Sequence, residues 1–276
     1  MTSTPRLAVL GTGVMGEAVL AGALRGDWEP SDVVATVRRA ERASELEASH
    51  GVETTTDNVA AVRGAGLVLV GVKPKDVVAL LREIGPALEP DAVVVSVVAG
   101  LPTTAFEAVL PDGTAVVRTM PNTPAQIGEG VTAVSAGAHA SDEQVATVER
   151  LLAGTGLVVR VAEKDQDAIS ALSGSGPAYV FYVVDALAEA GVLLGLTRAT
   201  ALEVATRTVL GSARLLQETG EHPVVLRERV SSPGGTTVRA LHRLDQAGVR
   251  AAFADALLAA HDRSQELARS LAPEKS

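Results

Sequence analysis

Apolar residues along this chain fall into two regimes. Up to about residue 163 they form short, nearly unbroken runs of Val, Leu and Ala at 7–10, 33–37, 67–72, 93–98, 115–117, 131–134 and 157–161. Continuous runs of this length predict strands buried on both faces. Between them the spacing turns helical: Ala18, Val19, Ala21 and Leu24 after the first run, then 40–49, 57–63, 75–82, 103–109 and 141–152. Alternation of strand and helix predicts a doubly wound, mostly parallel sheet covered on both sides. From 165 onward no strand pattern remains. The segments 165–194, 198–219, 223–230, 236–246 and 249–270 all read as helix, and the tail 272–276 as frayed. The predicted fold is therefore α/β in two domains, a sheet domain over 1–163 and an all-helical domain over 164–276. A ligand cleft is expected outside the carboxyl ends of the strands and between the domains.

The first run leads into Gly11, Thr12, Gly13, Val14, Met15 and Gly16. A strand, a G-x-G-x-x-G turn and a helix, in that order, predict a dinucleotide-binding βαβ unit. Gly11 makes the tight turn, Gly13 lets backbone approach a pyrophosphate, and Gly16 lets helix pack on strand. About 20 residues on, where an NAD site carries an acid for the ribose 2′-hydroxyl, the second strand ends in Arg38 and Arg39. Guanidinium groups suit a 2′-phosphate. NADP, with NADPH preferred over NADH, is the expected cofactor. The alternative is that two arginines merely open a solvated helix.

Composition narrows the rest. The chain has 276 residues, 47% of them hydrophobic but only 2% aromatic, so its core must be built from Ala, Val and Leu. A net charge of −9 argues against nucleic acid or an anionic membrane as partner. The absence of cysteine excludes disulfides, thiol nucleophiles and thiolate metal sites. Five histidines (His50, His139, His222, His242 and His261) show no metal spacing. The polar start M-T-S-T-P-R predicts no secretory signal, and a cytoplasmic protein is expected. The longest apolar stretch, 178–194, is broken by Asp185 and Glu189 and reads as a buried helix.

Four segments have compositions a simple core would not choose. V-K-P at 72–74 and M-P-N-T-P at 120–124 each follow a strand. S-G-S-G-P at 173–177 interrupts a helical pattern, and S-P-G-G-T-T at 232–237 opens one. Taken singly, each reads as a turn or cap.

Together with A-Y at 178–179 and E-H-P at 221–223, these segments resemble the pyrroline-5-carboxylate reductases, with motifs in the same order from about residue 6 to 270. The resemblance implies a Rossmann-like domain followed by a helical one. It also implies a homodimer with intertwined helical domains, or a ring of such dimers, and active sites built from both chains. It implies a cofactor set of Gly11–Gly16, Arg38, Arg39, Asn58, Val72, Lys73, Pro74, Val98, Ala99, Gly100 and Asn122, with 72–74 and 98–100 on the nicotinamide side. Around the pyrroline or proline ligand it implies Glu163, Gly235, Thr236 and Thr237, with Ser175 shaping the site and Thr237 the residue closest to the chemistry.

Two other readings stay open on sequence alone. A β-hydroxyacid dehydrogenase shares the two-domain plan but uses a lysine on the first long helix after the sheet domain. Here the lysines are Lys73, Lys75, Lys164 and Lys275, none of them inside 168–194. A non-catalytic NADP sensor would have no need of the S-P-G-G-T-T segment.

Overall fold

The computed structural model describes residues 4–271, with side chains to residue 266, so the expected frayed tail lies outside the described residues. The sheet region runs β1 (Leu7–Leu10), α1 (Val14–Arg25), β2 (Val33–Thr36), α2 (Ala40–His50), β3 (Glu53–Thr55), α3 (Asn58–Val62), β4 (Leu67–Val70), α4 (Val77–Ile84), β5 (Val93–Ser96) and α5 (Thr103–Glu107). It continues through β6 (Ala115–Pro121), β7 (Gly130–Ala136), α6 (Asp142–Ala153), β8 (Gly156–Arg160) and α7 (Gln166–Ile169). Five longer or later helices follow: α8 (Gly176–Leu193), α9 (Arg198–Thr219), α10 (Pro223–Arg229), α11 (Thr236–Gln246) and α12 (Val249–Leu271).

One sheet holds all eight strands in the order β3-β2-β1-β4-β5-β6-β7-β8. Every pair is parallel except β6 with β7. The unbroken apolar runs explain this layout through the two-residue period of a strand. Leu7, Val9, Leu67, Leu69, Val93 and Val95 point into one core with α1, α2 and α6. Ala8, Leu10, Val68, Val70 and Val94 point into the other, with α3, α4 and α5. Each fully buried Leu or Val contributes about 1.5–3 kcal/mol. The register therefore resists slipping by one residue, because a slip would exchange the two cores.

Packing groups the chain into two units, Gly176–Ala259 and the remainder. A boundary near 163 was expected. Residues 163–175 instead pack on the sheet, through contacts described below, so by packing the division falls at the second glycine of S-G-S-G-P. The helix 178–194, expected to be buried, is also different. Along α8 only Ala188 is buried in the single chain, whereas Phe181 is 67% and Tyr182 78% exposed. The helical run Glu163–Leu193 is long and apolar enough, by length and composition only, to cross a membrane.

Candidate active site

The glycine turn takes its shape from close backbone approaches. Gly11 has φ +81°, and a Cβ there would lie 2.6 Å from Val72 Cγ1 and 2.9 Å from Val72 N, so only glycine fits. A Cβ on Gly16 would lie 2.8 Å from the Gly11 carbonyl, which allows α1 to start tight against the turn. Gly13 differs, since a Cβ there would meet nothing within 4 Å. The turn thus presents bare backbone to open space, as a pyrophosphate requires. The end of β2 stitches this turn down. Gly11 N–H donates to Thr36 Oγ1 at 3.1 Å, and Thr12 Oγ1 donates to the Thr36 carbonyl at 3.1 Å. Thr12 is accordingly buried, while Val14 is exposed at the mouth of the turn.

Parallel register aligns the carboxyl ends of β1, β4 and β5, through Leu10 with Val70 and Val70 with Ser96, and sets Ser96 beside Arg118, from which β6 runs on to Pro121. The loops leaving them are 11–16, 71–74, 97–100 and 121–124. One edge of the first unit therefore gathers Gly11–Gly16, Val72–Pro74, Val98–Gly100 and Asn122. Val98 and Gly100 are buried, with Ala99 exposed between them. Pro74 opens a short 3-10 turn, Pro74–Asp76, and Lys73 flanks it with its side chain in solvent.

Past β2, Arg38 reaches the loop after β4, where its guanidinium donates to Asp76 Oδ2 at 2.9 Å while staying 81% exposed. Arg39 is exposed and has no ion pair among the described residues. Behind them Arg42, which sequence reasoning passed over, bonds Glu17 on α1 and Glu45. His50 Nε2 lies 3.2 Å from the other Glu17 oxygen. Burial opposes the charged form of Glu17, but hydrogen bonds from Arg42 and His50 outweigh it and hold the carboxyl below the ordinary glutamate range. Asn58 heads α3, and its amide donates to both Glu83 oxygens at 3.3 and 3.4 Å.

Arg118 and Met120 on β6, and Asn122 just past its end, all meet the incoming segment 163–175. The Arg118 guanidinium is buried and donates to Glu163 Oε1 at 3.0 Å, with Asp167 Oδ1 at 3.7 Å. Glu163 Oε1 also accepts from Thr103 N–H at 3.2 Å, while its Oε2 is buried with no partner among the described residues. Asp167 accepts from Ser264 on α12 at 2.9 Å. Arg118 was missed from sequence, although a lone charge inside A-V-V-R-T-M was a legible signal. The expected break at S-G-S-G-P takes the form of a π turn over Ser170–Gly174, closed by Ser175 N–H donating to the Ser170 carbonyl at 2.9 Å. Asn122 grips this turn. Its Nδ2 donates to the Ser173 carbonyl at 3.2 Å and to Ser173 Oγ at 3.1 Å, and its Oδ1 accepts from Val131 N–H at 2.9 Å.

The remaining expected ligand residues lie in the second unit, at the start of α11. Gly235 caps that helix with backbone alone, its N–H donating to the Ser232 carbonyl at 2.9 Å. Neither the Thr236 nor the Thr237 hydroxyl has a hydrogen-bond partner among the described residues, and the first turn holds no acidic residue. The first N–H groups of a helix have no partner within it. Together these groups form a cluster of donors open to an anion. No group of three or more His, Cys, Asp or Glu suited to a metal occurs among the described residues.

Residues 163–267 match the family described as pyrroline-5-carboxylate reductase dimerisation. Residues 6–100 match one described as NADP oxidoreductase coenzyme F420-dependent. The chain is 44% identical to a pyrroline-5-carboxylate reductase of Corynebacterium melassecola over 266 residues, covering 95% of this chain and 98% of the relative. It is 36% identical to that of Methanosarcina acetivorans, covering 96% and 98%. Among solved structures, a pyrroline-5-carboxylate reductase from Coxiella burnetii superposes with a TM-score of 0.91 at 36% identity, covering 96% of this chain and 99% of that one. A Rossmann-like sheet unit with its glycine turn, a helical unit whose α11 start gathers free donors, and similarity along nearly the whole length agree: the chain belongs to the pyrroline-5-carboxylate reductase family.

Proposed function

We infer that this protein reduces 1-pyrroline-5-carboxylate to L-proline, the last step of proline synthesis, with NADPH preferred over NADH. The observation that carries the substrate end is the start of α11, where two threonine hydroxyls without a partner among the described residues and the first-turn N–H groups form a donor cluster suited to an anion. The substrate is a cyclic imine bearing a carboxylate. Its iminium form is already electrophilic, so little acid catalysis is needed, and no acid–base dyad has to be found. When bound, the nicotinamide supplies the hydride. The chain's own task is orientation. Backbone N–H groups at Thr236–Thr237, in the turn that Gly235 opens, hold the carboxylate, and the Thr237 hydroxyl bonds the ring nitrogen or the carboxylate. Glu163 and Ser175 border the ligand. Bare backbone over Gly13 fits a pyrophosphate, Asn58 lies near the cofactor, and Val72–Pro74 with Val98–Gly100 flank the nicotinamide.

The α8 sequence is read as an interface rather than a membrane span. The protein then works as a homodimer or a ring of dimers in the cytoplasm, without nucleic-acid or membrane partners. The dehydrogenase alternative lacks its lysine within 168–194. Purified protein should oxidise NADPH only when the imine is supplied, and should yield proline stoichiometrically. NADPH oxidation without proline formation would reject the reading.

Cofactor preference rests on Arg38 and Arg39. Replacing both with Gln is expected to raise the KM for NADPH about tenfold and leave that for NADH within about twofold. A charge-assisted bond is worth about 1.5–3 kcal/mol, but exposure and the competing Asp76 carboxylate reduce it here. Equal losses for both cofactors in steady-state kinetics would show that neither arginine meets the 2′-phosphate.

A further inference from the structure

We propose that Asn122 is a positioning residue, which clips the π turn Ser170–Gly174 against the carboxyl end of β6 and thereby orients the nicotinamide edge of the site for hydride transfer. The inference rests on the reductase reading, but its starting point is the bonding of one side chain. Asn122 was expected among the cofactor contacts. Its amide is spent inside the protein. The Oδ1 orientation is fixed by Val131 N–H, a donor that an amide nitrogen could not satisfy, and this aims Nδ2 at both acceptors of Ser173. Asn122 is buried, so the bonds form away from competing water.

The turn it grips is an unfavourable one. A π turn has poorer backbone geometry than the helix on either side and recurs where function requires it. Ser173–Gly174–Ser175 adds residues of low helix propensity. Something outside the turn must hold it, and β6 with the residue just past its end does so at three positions. Arg118 fixes the entry through Glu163 and Asp167. Met120 fills the space that Gly174 leaves, since a Cβ on Gly174 would lie 2.7 Å from Met120 Cε. Asn122 fixes Ser173 itself.

The place of the turn gives the clip its function. The strand beside β6 is β5, and the loop leaving β5 is 97–100, the segment assigned to the nicotinamide side. The glycine turn and the arginines lie toward β1 and β2, at the other end of the cofactor edge. A loosened π turn should therefore leave cofactor affinity, which comes largely from the pyrophosphate and adenosine end, while costing orientation at the reacting end. In kinetic terms, kcat falls and KM for NADPH does not rise.

Asn122→Asp keeps the acceptor for Val131 and removes the donor to Ser173. The expected results are a kcat at least tenfold lower, a KM for NADPH within twofold, an unfolding midpoint within a few degrees, and backbone hydrogen exchange over 171–175 accelerated at least tenfold. Ser173→Ala removes one of the two acceptors and leaves the carbonyl. It should lower kcat two- to fivefold with the same KM, and it carries the test should Asn122→Asp fail to fold. Unchanged kcat in both variants would overturn the proposal. So would a tenfold rise in KM for NADPH with exchange over 171–175 unchanged, since Asn122 would then be a cofactor ligand. Wild-type protein inert toward the imine would instead overturn the reductase reading and any role in turnover, with exchange still reporting whether the clip holds the turn.

Discussion

At micromolar concentration the wild-type protein is expected to sediment at no less than twice its chain mass. Replacing Phe181 and Leu187 with Asp should convert it to a monomer that has lost at least about 99% of its imine reductase activity. Phe181 is 67% and Leu187 48% exposed on α8, and Val180, Val192 and Leu193 add to the same uncovered surface. The second unit's own buried core consists of Ala188, Ala201 and Ala205, with Val184 packed against them. Such a unit cannot hold itself, and a helix apolar around most of its circumference has to be enclosed. The match of residues 163–267 to a dimerisation family names the enclosing surface as a second copy. Two carboxylates in that contact would each have to be desolvated without a partner, at a cost of several kcal/mol. Sedimentation and turnover measured on one preparation decide the matter. A wild-type monomer with full activity, or a double-Asp variant that stays dimeric and active, would reject the interface.

The same contrast explains what was legible in the sequence. Helices α9 and α11 fall at the expected residues, because each begins at a strong local stop: Thr197 caps α9 by accepting from Thr200 N–H at 3.2 Å, and Gly235 precedes α11. The buried strands were legible because continuous Val and Leu runs need two apolar faces. β3, reading E-T-T at the sheet edge, was missed because only backbone pairing with β2 makes it a strand. The exposure of α8 in the single chain follows from the same rule: apolar spacing reports that a face will be covered, and one small helical unit can hardly supply that cover by itself. The packing of 163–175 on the sheet was not legible because its anchors, Arg118 and Asn122, lie more than 40 residues earlier and no local pattern announces them, whereas the expected boundary near 163 coincides with the start of the dimerisation-family match. Within the site, glycine roles could be read from the fingerprint because steric limits are local. The partners that stitch the turn, Thr36 above all, come from another strand and needed the structure.

Thr237→Val should lower kcat/KM for the imine about tenfold or more while leaving the KM for NADPH and the unfolding midpoint nearly unchanged. Valine keeps the shape of threonine and deletes one hydroxyl. If that hydroxyl donates to the ring nitrogen or carboxylate, the loss is that of a hydrogen bond to a charged group, about 1.5–3 kcal/mol. The competing explanation is a helix cap, for which removal would cost about 1 kcal/mol of stability and leave kinetics intact. The geometry at α11 weighs against it. The capping position belongs to Gly235, no side chain caps this helix, and Thr237 is its second residue. Where a threonine does cap in this protein, at Thr197, its hydroxyl is engaged with the backbone. At Thr237 it has no partner among the described residues, so no cap bond would be lost with it. Thr237→Ser restores the hydroxyl and should recover most of the lost kcat/KM. A Val variant with unchanged kcat/KM and a lowered midpoint would remove Thr237 from the site, and a Ser variant as impaired as Val would assign the effect to the methyl group instead.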